Sequence, residues 1–319
     1  MSKISIIVPF YNEENSARNF CNSLFDSLNE IKNHIFEVIF INDGSTDNTL
    51  HILKQQINRI ECLKILSFSR NFGHEAAINA GIDNCSGDAA IVMDADLQDP
   101  PQQIINLISK WERGYDVVNI KRINRNNDSC SKRLTAKLFY KLISHWAYKI
   151  NIEENVNNFR LISKRVINIV KSLTSKNKVF RFEVPFAGFK TTDIEIDRPC
   201  RNAGKSHYHI AEMSRLAIDS IVSVSIQPLN LISKIFLVMC LLFCLSFTTE
   251  IVLYIIQKCN GVLMLSDMSY LAWLIVNCCL FFTLVLLLGI SIIAQYIARI
   301  HLETQNRPTY VVDEIFSKK

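Results

Sequence analysis

A run of apolar, partly β-branched residues at positions 89–93 ends in two aspartates, Asp94 and Asp96, which we call the acidic pair. Such a run is typical of a strand buried in a parallel sheet. Open α/β sheets bind their ligands at the carboxyl ends of these strands. Two carboxylates followed by Gln98 suit a divalent cation shared with phosphate oxygens. An acidic turn closed by Pro100 explains the same pattern about equally well, because short motifs often mislead.

Short apolar runs alternate with helical stretches through the first part of the chain. We predict strands at 4–8, 37–41, 63–67, 89–93 and 117–120, and helices at 15–31, 46–57, 75–84 and 102–111. This alternation predicts an α/β domain with a mainly parallel sheet and helices on both faces. A less regular part at 151–199 holds one strand–helix pair, at 159–169, and shows no clean boundary. We therefore treat 1–207 as one domain.

Polar side chains follow two further predicted strands. Pro9, Tyr11 and Glu13 stand at the end of the first strand, and Asp43 follows the second. Because these strands share a sheet with the acidic pair, all of these groups should face one crevice. Asp43 offers acceptors to a base or ribose and Tyr11 offers a ring, although an aspartate is also a common turn residue. The sequence lacks the glycine patterns of dinucleotide and P-loop sites, which counts against both.

Two long apolar stretches, at 231–256 and 271–298, are each longer than a bilayer core of ~30 Å requires. They predict two transmembrane helices within 231–299, with an amphipathic helix at 208–230 before them and a tail at 300–319 after them. Basic flanks place both termini in the cytoplasm. Glu250 lies within the first stretch, either near the headgroups or against a partner helix. The ten cysteines lack metal-site spacing, and reduced thiols suit a protein that faces the cytosol.

Positive charge is concentrated between positions 121 and 149, where eight Lys or Arg accompany one acid, although the net charge of the whole chain is only +5. An apolar stripe in 131–150 is formed by Leu134, Leu138, Leu142, Trp146 and Ile150. Such a helix suits the membrane interface, with its cations toward the headgroups. An ordinary surface helix is the alternative. Nucleic-acid binding is a weaker use of the same charges, and we expect no nucleic-acid partner.

Six motifs in order carry a family resemblance: Val8-Pro9-x-Tyr11-Asn12-Glu13-Glu14, Asn42-Asp43-Gly44-Ser45, Arg70-Asn71-Phe72-Gly73, Asp94-Ala95-Asp96-Leu97-Gln98-Asp99-Pro100, Asn158-Phe159-Arg160-Leu161 and Gln305-x-Arg307-Pro308-x-Tyr310. With the two apolar stretches, the chain resembles the bacterial polyisoprenyl-phosphate glycosyltransferases of family 2, which include bactoprenol glucosyltransferases and are related to dolichol-phosphate mannose synthases. The resemblance implies a GT-A fold, a nucleotide-sugar donor such as UDP-glucose, Mg²⁺ or Mn²⁺, inversion at the anomeric carbon, and undecaprenyl phosphate as acceptor in O-antigen modification. It also suggests a homo-oligomer, and a flippase is a further candidate partner.

The same resemblance implies a role for each matched residue. Pro9, Tyr11, Glu13 and Asp43 would hold the nucleoside, while Asp94, Asp96 and Gln98 would lie at the metal and the diphosphate. By position after the acidic pair, Arg122 and Arg133 resemble the arginines that hold the lipid phosphate. A basic loop contains Arg201 and Lys205, which would neutralise the departing diphosphate, unless this is only a solvated loop.

One position departs from the family pattern, because Asn158 stands where relatives carry an aspartate that is the candidate general base. One interpretation is a catalytically degenerate subunit that scaffolds a flippase or polymerase. The other is that no base is needed, since a phosphate monoester with a second pKa near ~6 is already mostly a dianion. We favour an active enzyme, in which orientation and charge neutralisation lower the barrier. A processive polysaccharide synthase is disfavoured, because the expected Gln-x-x-Arg-Trp is missing.

Overall fold

The computed structural model describes residues 1–59, 62–96, 98–122, 156–173, 178–196, 227–260 and 267–318. The chain divides into two compact units. One unit comprises Met1–Arg215 together with Arg307–Lys319, and the other comprises Leu216–Asn306. Each unit is described by itself below.

The first unit is built on an eight-stranded sheet in the described part of the chain. Its strands are β1 (Lys3–Phe10), β2 (Ile35–Asn42), β3 (Leu63–Phe68), β4 (Ala89–Val92), β5 (Val117–Arg122), β6 (Val156–Ser163), β7 (Thr191–Ile196) and β8 (Val312–Ser317). They lie in the order β7-β5-β6-β4-β1-β2-β3-β8. The pairs β1–β2, β1–β4, β2–β3 and β5–β7 are parallel, whereas β6 and β8 run antiparallel to their neighbours. The predicted α/β class with a mainly parallel sheet is confirmed.

Helices cover both faces of this sheet. They are α1 (Ala17–Asn29), α2 (Thr49–Lys54), α3 (His74–Asn84), α4 (Ile104–Glu112), α5 (Lys164–Ser172) and α6 (Phe180–Phe186). Alternate residues of each strand point to opposite faces. Ile6 and Val8 of β1 therefore join the core beneath α1 and α4, whereas Ile7 joins the core beneath α3, α5 and α6.

The strand β8 corrects the predicted tail at 300–319. It pairs antiparallel with β3, with Val312 opposite Phe68 and Ser317 opposite Lys64. The sequence pattern missed this strand because it is short, charged and largely exposed, as edge strands commonly are. The sheet of the first unit is therefore completed by residues that follow the second long apolar stretch.

The second unit contains two long helices, α7 (Gln227–Asn260) and α8 (Asp267–Thr304). Phe243 of α7 packs edge-on against Phe282 of α8, with ring centroids 5.1 Å apart. Among the described residues, one helix, Leu274–Thr304, is long and apolar enough to cross a membrane, with a mean hydropathy of 2.6. Among the described residues of α7, the continuous apolar segment is Lys234–Thr249. One of the two predicted spans is thus supported by length and composition, and the other stays a prediction.

The two predicted amphipathic helices lie mostly outside the described part of the chain. The segment at 131–150 and residues 208–226 of the predicted helix at 208–230 lie outside the described residues, whereas residues 227–230 belong to α7. Glu250 is part of α7, but the description does not extend to its side chain. The interfacial role of these segments stays a prediction.

Candidate active site

The carboxyl ends of β1, β2 and β4 lie side by side at one end of the sheet. Phe10 of β1 is in register with Asn42 of β2, and Ile7 is in register with Val92 of β4. The next polar residues, Tyr11, Asp43 and Asp94, therefore emerge at the same end. Pro9 is buried next to the last residue of β1, whereas Tyr11, just after the strand, is 47% exposed. The structure thus brings together the groups that the sequence predicted at one crevice.

The loops after β1 and β2 are tied to each other by short hydrogen bonds. The Asn12 N–H donates to Ser45 Oγ at 3.1 Å, and the Thr46 N–H donates to Asn12 Oδ1 at 2.9 Å. The Glu13 N–H donates to Thr49 Oγ1 at 2.8 Å. Asn12 adopts a φ of 54°, a left-handed conformation that asparagine tolerates better than most residues. These contacts hold the two loops of the predicted nucleoside site in one arrangement.

Asp43 organises a third loop, at residues 70–73. Its two carboxylate oxygens accept the backbone N–H groups of Phe72, at 2.7 Å, and Gly73, at 3.0 Å. Burial raises the pKa of the Asp43 carboxyl above its ordinary value, and these two donors act in the opposite direction. The sequence predicted Asp43 as a ligand contact and did not anticipate this second role.

The backbone geometry at Gly44 explains why a glycine follows Asp43. Its φ is +62°, and a Cβ atom there would lie 2.2 Å from the carbonyl carbon of Arg70. Only glycine allows the 70–73 loop to approach the end of β2 this closely. The Asn42-Asp43-Gly44-Ser45 motif is therefore a packing requirement as well as a candidate binding site.

The acidic pair follows β4, as predicted. The Asp96 side chain accepts the backbone N–H of Gln98 at 3.1 Å. The Asp94 side chain is 30% exposed and lies at the end of the sheet. The described residues contain no group of three or more His, Cys, Asp or Glu that could hold a metal by themselves. Mg²⁺ commonly uses one or two carboxylates and takes its other ligands from water and substrate phosphates, so the oxygen donors of this pair fit such an ion.

Asn158 lies beside the acidic pair because β6 runs antiparallel to β4, with Arg160 opposite Val92. Its side-chain amide nitrogen is 3.1 Å from His74 Nε2, and the same Nε2 is 3.4 Å from Asp94 Oδ1. The Asn158 side chain is only 8% exposed, and its Oδ1 accepts no hydrogen bond from the described residues. Tertiary structure thus joins three residues that are far apart in the sequence.

Sequence reasoning missed His74. The residue begins α3 directly after the Arg70-Asn71-Phe72-Gly73 motif. That position was the available signal, because residues at the start of a helix that follows a parallel strand face the ligand end of the sheet.

Four predicted cationic residues are less fully placed. Arg122 ends β5, in register with Ile196 of β7, and only its backbone is described. Arg133, Arg201 and Lys205 lie outside the described residues. Their roles at the lipid phosphate and the departing diphosphate stay predictions.

Comparisons with known proteins identify the family of this chain. The profile of glycosyl transferase family 2 matches residues 5–184. The "Uncharacterized glycosyltransferase YkcC" of Bacillus subtilis (strain 168) is 37% identical over 314 residues, which cover 98% of this chain and 94% of the relative. The "SfII prophage-derived bactoprenol glucosyl transferase" of Shigella flexneri is 37% identical over 310 residues, 97% of each chain.

A solved structure shares the fold. Glucosyl-3-phosphoglycerate synthase from Mycobacterium tuberculosis, crystallised with phosphoglyceric acid, aligns with a TM-score of 0.50 at 16% identity, covering 70% of this chain and 80% of that one. The predicted GT-A-like architecture and the predicted family resemblance are both confirmed. The chain belongs to glycosyl transferase family 2.

Proposed function

We propose that this protein transfers a glucosyl group from UDP-glucose to undecaprenyl phosphate, with inversion at the anomeric carbon. The observation that carries the proposal is the similarity over nearly the whole chain to a relative named as a bactoprenol glucosyl transferase. The arrangement of Asp43, Asp94 and Asn158 at one end of the sheet is consistent with it. The product would serve cell-surface glycan synthesis or O-antigen modification.

The donor would bind across the ends of β1, β2 and β4. Each oxygen of the Asp43 carboxylate has two lone pairs, so acceptor capacity is left for a base or ribose after the two loop N–H groups are bound. The exposed ring of Tyr11 offers a stacking surface beside it, and Pro9 and Glu13 would shape the rest of the nucleoside pocket. Asp94, Asp96 and Gln98 would lie at Mg²⁺ or Mn²⁺, an ion that would screen the charge of the leaving diphosphate.

The acceptor would approach from the side of β6. A phosphate oxygen of the lipid attacks the anomeric carbon opposite the diphosphate, the bond to the UDP oxygen breaks, and the electron pair leaves with UDP. Because a phosphate monoester with a second pKa near ~6 is mostly a dianion at neutral pH, Asn158 would only need to orient an oxygen. Arg122 and Arg133 would hold the lipid phosphate, and Arg201 and Lys205 would neutralise the departing UDP.

The second unit would anchor the enzyme. We propose that α7 and α8 both span the bacterial inner membrane, with the sheet domain and both termini on the cytoplasmic side, where nucleotide sugars are made. The supporting observations are the length and hydropathy of α8 and the contact between the two helices. A homo-oligomer and a flippase that receives the product belong to the same proposal.

A degenerate scaffold is the alternative function. The amide of Asn158, at the position where relatives carry an aspartate, is the observation in its favour, because an amide in this position accepts no proton. Intact Asp43, Asp94 and Asp96 favour an enzyme.

Transfer assays on the full chain separate the two functions. Protein in lipid nanodiscs is incubated with undecaprenyl phosphate and a panel of radiolabelled nucleotide sugars, and label extracted into organic solvent is counted. We expect label from UDP-glucose, reduced at least about 100-fold in Asp96→Ala. Asp88→Asn is the matched control, because Asp88 is exposed and lies just before β4, at its opposite end, bonded to the Lys3 N–H.

The outcomes differ for each function. Labelled lipid that is unaffected by Asp96→Ala contradicts the proposed metal site. A chain that labels no lipid with any donor, while its Asn158→Asp variant does, is the degenerate scaffold.

A further inference from the structure

The segment that follows α8 packs onto the sheet domain through Tyr310. Its ring stacks on Phe68 at the end of β3, with centroids 5.2 Å apart and planes 12° apart. Its hydroxyl donates to Asp83 Oδ2 of α3 at 2.9 Å. Burial and the Asp83 carboxylate both raise the pKa of Tyr310, so the hydroxyl stays protonated and remains a donor. The Ser69 N–H donates to the Val311 carbonyl at 3.2 Å, which fixes the segment beside β3.

Phe68 connects Tyr310 to the 70–73 loop. Its ring meets Phe72 edge-on, with centroids 5.7 Å apart and an interplanar angle of 89°. The guanidinium of Arg70 lies 4.1 Å from the centroid of the Phe72 ring. The backbone of Phe72 then donates to Asp43. A continuous series of contacts therefore runs from Tyr310 through two aromatic rings to the buried carboxylate at the end of β2.

We propose that Tyr310 is a positioning residue for the binding of the donor's nucleoside diphosphate. By fixing Phe68 and Phe72, it holds the loop amides against Asp43, and so sets the orientation of the carboxylate that would meet the nucleoside. This inference rests on the proposed function, because it takes Asp43 as a nucleotide contact. It goes further by making the nucleotide site depend on residues that follow the long apolar helix in the sequence.

The physical reason is that Asp43 is only 2% exposed. A buried carboxylate requires its hydrogen-bond donors, and those donors belong to the 70–73 loop. The loop packs against Gly44 on one side, and on the other its Phe72 ring packs against Phe68. Loss of one ring from the stack lets the loop move. A displacement of about 1 Å at a binding group weakens the binding of a ligand that requires a defined geometry.

The test compares Tyr310→Ala with Tyr310→Phe in the full-length protein in nanodiscs. An aromatic pair contributes ~0.5–1.5 kcal/mol, so we expect Tyr310→Ala to raise the Kd for UDP and the KM for UDP-glucose about 2–12-fold. The KM for undecaprenyl phosphate and the kcat at saturating donor should stay within about twofold. Tyr310→Phe keeps the stack and should restore donor affinity. If Tyr310→Ala does not fold, Tyr310→Leu takes its place.

The matched control is Phe316→Ala on β8. This ring contacts Lys54, 3.8 Å from its centroid, and lies at the other end of the strand. It should lower the melting temperature without changing the KM for UDP-glucose.

Three results would overturn the inference, and they are distinguishable. If wild-type protein binds no nucleotide, the proposed function fails and the inference falls with it. If wild-type protein binds UDP and folded Tyr310→Ala binds it equally well, only the inference fails. If donor affinity falls equally in Tyr310→Ala and Phe316→Ala, in step with melting temperature, Tyr310 is a structural residue and no more.

Discussion

Glu183 of α6 provides a pH-dependent stability prediction whose size follows from its surroundings. The residue is 7% exposed, and neither carboxylate oxygen accepts a hydrogen bond from the described residues. Burial raises the pKa of this carboxyl from 4.5 to about 7, with Glu75 and Asp83 adding to the effect and Lys178 opposing it. The folded domain therefore favours the protonated side chain.

The stability of the domain should consequently fall as pH rises through this range. Below pH 4.5 the carboxyl is protonated in both the folded and unfolded chains, so the full stability is present. Above a pH of about 7 the folded domain must hold a buried carboxylate. At about 1.4 kcal/mol for each pKa unit, this difference corresponds to about 3 kcal/mol in the free energy of unfolding.

The variant Glu183→Gln removes the ionisation and keeps the shape. Relative to wild type, its stability advantage should grow from under about 1 kcal/mol at pH 5 to about 3 kcal/mol at pH 8. For a domain of this size the difference in melting temperature then grows by about 5–10 °C. Scanning fluorimetry of both proteins between pH 5 and pH 8 measures it.

The exposed Glu195 of β7 offers the control, since Glu195→Gln reports the general effect of removing one negative charge. A melting-temperature difference between Glu183→Gln and wild type that is the same at every pH, or that shrinks as pH rises, would contradict this prediction. A constant difference would mean that folding leaves the pKa of the Glu183 carboxyl unchanged, and a shrinking one would mean that folding lowers it.

Three further predictions concern the site. Gly44→Ala should lower the free energy of unfolding by about 1–3 kcal/mol from left-handed strain alone, and it should also weaken UDP binding because its Cβ would meet Arg70. The control Gly114→Ala, with a φ of +86° and open space around it, should lower stability without changing UDP affinity. His74→Ala removes one hydrogen bond at Asn158 and should lower kcat about 2–12-fold while the Kd for UDP stays unchanged. An unchanged kcat would show that the contact between His74 and Asn158 has no role in transfer. Asn158→Asp should change kcat by less than about threefold if the phosphate dianion needs no base, and a gain of about 100-fold would contradict that mechanism.

Much of the fold could be predicted because local pattern and tertiary position agree. The buried strands β1 to β4 are apolar runs, and their order in the chain follows the alternation with helices. The acidic pair was predicted from its place after β4. In contrast, β8 carries the signals of a charged loop, and only pairing with the exposed edge of β3 makes it a strand.

At the candidate site, too, contacts between distant residues could not be predicted from the sequence. Asp43 was predicted to be at the site, but its bonds to the loop amides depend on a loop that comes 27 residues or more later in the chain. The pairing of His74 with Asn158 joins residues 84 positions apart. The second contact follows from the antiparallel insertion of β6 beside β4, which no short pattern encodes.

Local periodicity and short motifs are enough to establish the α/β class, the family and most residues at the ligand end of the sheet. Tertiary packing is needed for the contact of Tyr310 with Phe68, for the place of His74 between Asp94 and Asn158, and for the pairing of β8 with the sheet. Those contacts are set by strand order and register, and strand order is a property of the whole packed domain rather than of any segment within it.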